Sequence, residues 1–141
     1  MYILDTDHWT VLQNGEGVDY DRLLDKLQAH RDASFFVTIV TFQEVMSGWL
    51  KFLNNAKLSQ GVVRAYERLE FLLDQFSSAA VLPFDNAAAS VFDDFRAARI
   101  RVATMDLRIG SIAIANQMSV LTRNTVDFER IPGLTIDDWL R

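Results

Sequence analysis

Short apolar runs alternate with longer segments of helical period along this chain. That alternation predicts an α/β fold built on a mostly parallel sheet covered on both faces. Two stretches carry the prediction. Phe35-Phe36-Val37-Thr38-Ile39-Val40 is short, β-branched and aromatic, the pattern of a buried strand. Leu58, Val62, Ala65, Tyr66, Leu69, Leu72, Leu73 and Phe76 recur at three- and four-residue steps, the strongest helix signal present.

The elements follow in order. Tyr2–Leu4 reads as a buried strand, then a helical turn or two to about Asn14, closed by Gly15 and Gly17. Asp21–His30 reads as a helix with Leu23, Leu24 and Leu27 inward. After the strand at 35–40, Phe42 to about Leu53 is helical, and the long helix through Phe76 comes next. Ala80–Leu82 is a strand and Asp85–Ile100 a helix with Ala88, Val91, Phe95 and Ala98 on one face. Asp106–Met118 is a helix, Val120-Leu121 a strand, and Leu134–Ile136 the last strand. Pro83 and Pro132 punctuate loops.

With 141 residues and no repeat or linker, residues 1–141 are expected to form one domain. Half the residues are hydrophobic and 23% charged, a globular composition. The start lacks the basic flank and apolar stretch of a signal peptide, and no run approaches a membrane span. The absence of cysteine rules out disulfides and thiolate metal sites, so a cytoplasmic location is expected. The net charge of -5 argues against a broad phosphate-binding surface. From Asp85 onward, however, every basic residue is arginine, whose planar fork suits phosphate.

The first strand stops on Asp5 and Asp7, and parallel sheets bind ligands beyond the carboxyl ends of their strands. Asp5 follows the first strand, Glu44 lies in the first turn after the second, and Asp127 lies a few residues beyond Val120-Leu121. Asp106 opens the helix that runs back toward that strand, so its first turn points to the same edge. Each can also be read locally. Thr41-x-x-Glu44 has the form of a capping box, and Asp106, Asp127 and Asp7 are plausible N-caps. Asp5 fits a cap less well, because Thr6 or Asp7 is better placed. Four carboxylates meeting on one edge would repel: two unit charges about 4 Å apart cost roughly 4 kcal/mol at an effective dielectric near 20. A shared cation would relieve this. All-oxygen ligands favour Mg²⁺ or Mn²⁺, and Mg²⁺ chemistry points to phosphate.

The succession "ILDTD", "TFQE", "MDLRIGSIAIAN" and "VLTRNTVDF", with a terminal "IPGLTIDDWL", resembles the PIN-domain nucleases, and among them the VapC-like toxins of toxin–antitoxin pairs. The resemblance spans nearly the whole chain. It implies a three-layer α/β/α sandwich and a Mg²⁺- or Mn²⁺-dependent endoribonuclease. The family's acidic quartet carries over onto Asp5, Glu44, Asp106 and Asp127, with Thr6, Thr122 and Asn124 as supporting polar positions. Position 7 is more often Asn or Ser in that family; here Asp7 is either an added ligand or, as preferred, an N-cap. The resemblance also implies a protein antitoxin, a homodimer, and an RNA substrate such as tRNA or another structured RNA.

The expected chemistry is hydrolysis by a metal-activated water, leaving a 5′-phosphate and a 3′-hydroxyl. Asp5, Glu44 and Asp106 would hold the metal, Asp127 would complete the site or orient a water, and Arg108 and Arg123 would hold phosphates. His8 is read as a surface or rim residue, and Phe71 and Phe76 as helix core. Trp139 is read as packing. Trp9, Trp49 and Phe52 are core or an interface. Two alternatives stand beside this. One is a non-catalytic PIN-like binding module. The other is a haloacid-dehalogenase-type phosphatase, which would need a lysine later than any present and an acidic pair better placed than Asp137-Asp138.

Overall fold

A computed structural model describes residues 1–141. The strands are β1 (Tyr2–Leu4), β2 (Phe35–Thr38), β3 (Val81–Leu82), β4 (Ser119–Leu121) and β5 (Ile136–Asp137). The helices are α1 (Thr6–Asn14), α2 (Val18–Ala29), α3 (Ile39–Asn55), α4 (Ser59–Ser77), α5 (Asn86–Ala97), α6 (Thr104–Asn116) and α7 (Thr125–Phe128). The sheet order is β3-β2-β1-β4-β5, with every pairing parallel. Ile3 stands opposite Phe36 on one side and Val120 on the other, and Leu4 stands opposite Leu121. No helix is long and apolar enough to cross a membrane.

The period-two alternation of the strands divides the core. Ile3 and Val120 face one way, into a cluster with Ala88 of α5, Leu107, Ile109 and Ile112 of α6, and Phe128 of α7. Leu4, Val37 and Leu121 face the other way, against Trp9 of α1, Leu23 of α2, Leu72 and Phe76 of α4, and Trp139. Helices therefore cover both faces, giving the α/β/α layering that the sequence predicts.

The order 3-2-1-4-5 has a consequence for ligand binding. The chain steps outward from β1 to β2 and β3, then returns to the far side of β1 for β4. The β1/β4 junction is thus the topological switch point, where a crevice opens beyond the carboxyl ends of the strands. Asp5 leaves β1 there, its N–H still donating to Leu121 O at 2.9 Å. Thr122 leaves β4 beside it.

Several boundaries differ from the sequence reading. β2 ends at Thr38, and Ile39 and Val40 begin α3, because the fully buried Thr38 side chain caps that helix by accepting from Thr41 N–H at 3.3 Å. Thr41 is therefore not the cap. Glu44 falls in the second turn of α3, and no capping box forms. Asp5, not Asp7, caps α1, accepting from Thr6 N–H at 2.7 Å. Ala103 and Asn124 occupy the N-cap positions of α6 and α7, which leaves Asp106 and Asp127 inside their helices. Along α4, Leu58, Tyr66 and Leu73 are exposed and Phe71 is 47% exposed, so Phe71 is not core. The helix buries only the stripe that faces the sheet and α3, and its other apolar residues lie outside that stripe.

Candidate functional site

The crevice beyond β1 and β4 gathers the acidic residues through three short polar side chains. Thr122, fully buried, donates to Asp5 Oδ2 at 2.8 Å. Thr6, one residue past Asp5, donates to Glu44 Oε2 at 3.1 Å and thereby ties α1 to α3. Asn124 donates through Nδ2 to both Asp106 Oδ2 at 3.0 Å and Asp127 Oδ2 at 2.9 Å. One amide thus bridges two carboxylates on different helices. Thr122 Oγ1 in turn accepts from the Asn124 backbone N–H at 3.0 Å, so the Thr122 side chain also fixes the main chain that carries the Asn124 bridge.

The electrostatics follow from burying like charges together. Burial foremost, then the neighbouring Asp7 carboxylate, pushes Asp5 up to about 7, against the hydrogen bonds from Thr122 and Thr6. Burial also raises Glu44, opposed by the Thr6 hydrogen bond and reinforced by the charges of Asp106 and Asp7. Asp106 is raised by burial and by Asp127, with Asn124 working the other way. Glu44 Oε1 is buried with no hydrogen-bond partner. A carboxylate oxygen in that position is costly unless something meets it.

Asp7 behaves differently. Burial works to raise it but is outweighed by donors, and its carboxyl is held below the ordinary range. Oδ1 accepts from His8 N–H at 2.6 Å and meets His8 Nδ1 at 2.5 Å, while Oδ2 accepts from Arg123 N–H at 2.9 Å. Both of its oxygens accept hydrogen bonds, as both oxygens of Asp5 do. It is not an N-cap; it staples α1 to the segment after β4.

His8 corrects the sequence reading: it is fully buried, not at a rim. Its Nε2 lies 3.1 Å from Trp139 N, and Trp139 itself is packed in the core. The sequence does hold a signal for this. His8, Val11 and Leu12 stand at i, i+3 and i+4, and both apolar members pack on the cluster that contains Trp139. The two arginines do not reach the carboxylates by any ion pair. Arg123 pairs with Asp19 at 2.8 Å, and only its backbone serves the site. The Arg108 guanidinium lies over the Phe92 ring, 5.8 Å from its centroid. Arg130, unremarked in the sequence, comes within 3.9 Å of Asp127 Oδ1.

As they stand, no three acidic or histidine side chains are close enough together to close on one ion. The residues that could hold a cation are Asp5, Glu44 and Asp106, with Asp127 behind the Asn124 bridge. The molecule is thus of the class of parallel α/β proteins whose switch point is lined with carboxylates, Asp5 buried and Glu44, Asp106 and Asp127 half-buried.

The PIN domain family model matches residues 2–134, and the chain belongs to the PIN-domain family. Solved structures agree with the fold. The chain is similar to one in the DNA-bound VapBC from Salmonella typhimurium, with 25% identity, a TM-score of 0.73, and coverage of 98% of this chain and 97% of that one. It is also similar to a chain of FitAcB from Neisseria gonorrhoeae, with 21% identity, a TM-score of 0.70, and 99% and 98% covered. A chain of a toxin–antitoxin complex from Klebsiella pneumoniae matches with 19% identity, a TM-score of 0.62, and 99% and 98% covered. A comparison with curated proteins finds no match.

Proposed function

We propose that the chain is a Mg²⁺- or Mn²⁺-dependent endoribonuclease and the toxin half of a toxin–antitoxin pair. The observation that carries the reading is the acidic crevice at the switch point: Thr122 holds Asp5, Thr6 holds Glu44 and Asn124 bridges Asp106 and Asp127, while one buried Glu44 oxygen has no partner. The donors are all oxygen, which suits a hard cation. Mg²⁺ keeps several waters and takes one or two carboxylates plus phosphate oxygens, so its binding does not require all four carboxylates to close on it.

Bound there, such a cation supplies charge neutralisation at the phosphodiester and a more acidic water. The chain's own residues do the rest. Asp5, Glu44 and Asp106 present their carboxylates to the ion. Thr122 and Thr6 fix the rotamers of Asp5 and Glu44, and Asn124 holds Asp106 and Asp127 at a set separation. Asp127 is then placed to orient a water for in-line attack, which leaves a 5′-phosphate and a 3′-hydroxyl. Attack by water makes no use of the 2′-hydroxyl, so preference for RNA rests on shape and unpaired bases. Arg108 is the better phosphate ligand of the two arginines, since no carboxylate already holds it.

Among the similar structures are a toxin–antitoxin complex and DNA-bound VapBC, which supports a protein antitoxin as partner here. A groove of about 220 Å³ between α1, α3 and α4, walled by Trp9, Trp49, Phe71, Arg64 and Arg68, has the apolar and cationic character to take a partner segment. A homodimer is part of the same reading.

The test is Asp5→Asn. It removes a charge and keeps the shape, so the fold should stand while RNA cleavage falls by at least about 10³-fold, a loss of roughly 4 kcal/mol of transition-state stabilisation. Full activity in that variant would remove the proposal.

A further inference from the structure

We propose that His8 is a positioning residue, acting through Asp7 to fix the segment Thr122–Asn124 that arranges the acidic crevice. The inference rests on the metal-site reading above and adds a residue that the acidic quartet does not include.

The tautomer follows from geometry. Trp139 N–H can only donate, and it lies 3.1 Å from His8 Nε2, so that nitrogen carries the lone pair. The proton then sits on Nδ1, which faces Asp7 Oδ1 at 2.5 Å. The imidazole is fully buried, and the other acceptor near Nε2, Asp138 Oδ1, stands 3.6 Å away, beyond hydrogen-bond distance and farther than Trp139 N. Asp7 passes the constraint on. Its Oδ2 accepts from Arg123 N–H at 2.9 Å and lies 3.4 Å from Thr122 Oγ1. Thr122 holds Asp5, and Asn124 bridges Asp106 and Asp127. A line of contacts therefore runs from the C-terminal Trp139 backbone through His8 and Asp7 to three of the four candidate metal-site acids. Partners in direct contact with a ligand typically carry 10- to 100-fold in metal affinity, and His8, standing behind Asp7 and Thr122, is expected at the low end of that range.

Two substitutions separate the two ends of the imidazole. His8→Asn keeps an N–H near the Nδ1 position to donate to Asp7 and loses the acceptor for Trp139. His8→Gln keeps an acceptor for Trp139 and loses the ring N–H to Asp7, leaving the backbone N–H of residue 8 as the donor to Asp7 Oδ1. Mn²⁺ titration of the full-length protein, followed by the metal's electron paramagnetic resonance signal, should give about tenfold weaker binding for His8→Gln and near-wild-type binding for His8→Asn. Equal loss in both variants would mean a purely structural role and overturn the inference, as would no loss in His8→Gln. Wild-type protein that fails to bind Mn²⁺ would overturn the parent reading along with this one. Normal wild-type binding with an unaffected His8→Gln variant overturns this one alone. Nitrogen-15 spectra of the histidine-labelled wild type check the premise without any variant: a neutral ring protonated at Nδ1 is expected, and protonation at Nε2 contradicts it.

Discussion

Asn124 shows how much one side chain organises. Its amide donates to Asp106 and Asp127 together, and its removal leaves two carboxylates facing each other with no donor between them. Asn124→Ala should lower kcat by about 10- to 100-fold with little change in fold, checked by single-turnover cleavage beside a circular dichroism spectrum. Asp5 makes a second prediction at this scale. In the folded chain it keeps its proton up to about pH 7, whereas the unfolded chain releases it near the ordinary value of 3.8. Between those values the unfolded state binds fewer protons, so unfolding becomes easier as pH rises. Glu44 and Asp106, also raised, act in the same sense. Asp7, depressed, contributes stability that is lost only as pH falls below the ordinary carboxylate range. Metal-free protein should therefore be less stable at pH 8 than at pH 5, by up to about 2.7 kcal/mol from Asp5, two pH units of its window at about 1.36 kcal/mol each. Urea midpoints measured in chelator check this, and a higher midpoint at pH 8 would contradict it.

The elements explain which parts of the site were legible in the sequence and which were not. β1 and β4 stand out because Ile3-Leu4 and Val120-Leu121 are buried on both faces, so each reads as an apolar run that stops at a polar residue. Asp5 is legible for that reason. The start of α3 is not. Val40 is as apolar and β-branched as Val37, and nothing local shows the chain turning helical at Ile39; only Thr38 accepting from Thr41 N–H reveals it. That misplacement made Thr41 look like the cap and Glu44 a capping-box acid. If Thr38 is the true cap, Thr38→Ala should cost about 1–2 kcal/mol, read as a lower urea midpoint at unchanged slope. In α4, periodicity identified the helix but could not say how much of its apolar surface finds a partner within the chain. Leu58 and Leu73 obey the period and remain exposed.

For the whole molecule, the parallel order 3-2-1-4-5 brings residues 5, 44, 106 and 127 to one edge although they are far apart in the chain. Spacing and strand ends could indicate that convergence. The spacing of His8 with Val11 and Leu12 signals that His8 is buried, but nothing in the spacing or the strand ends indicates that its ring meets Asp7. A bound divalent ion should relieve the repulsion that raises Asp5, so 5 mM Mn²⁺, on the order of a saturating concentration, should raise Tm more at pH 8 than at pH 5. The central claim is that these carboxylates act through a divalent cation. Its most direct measurement is cleavage of an end-labelled RNA by the full chain in EDTA, followed by addition of excess Mn²⁺. The account predicts no cleavage in chelator and restored cleavage with 5′-phosphate and 3′-hydroxyl ends. Undiminished cleavage in EDTA, with cyclic-phosphate ends, would contradict it.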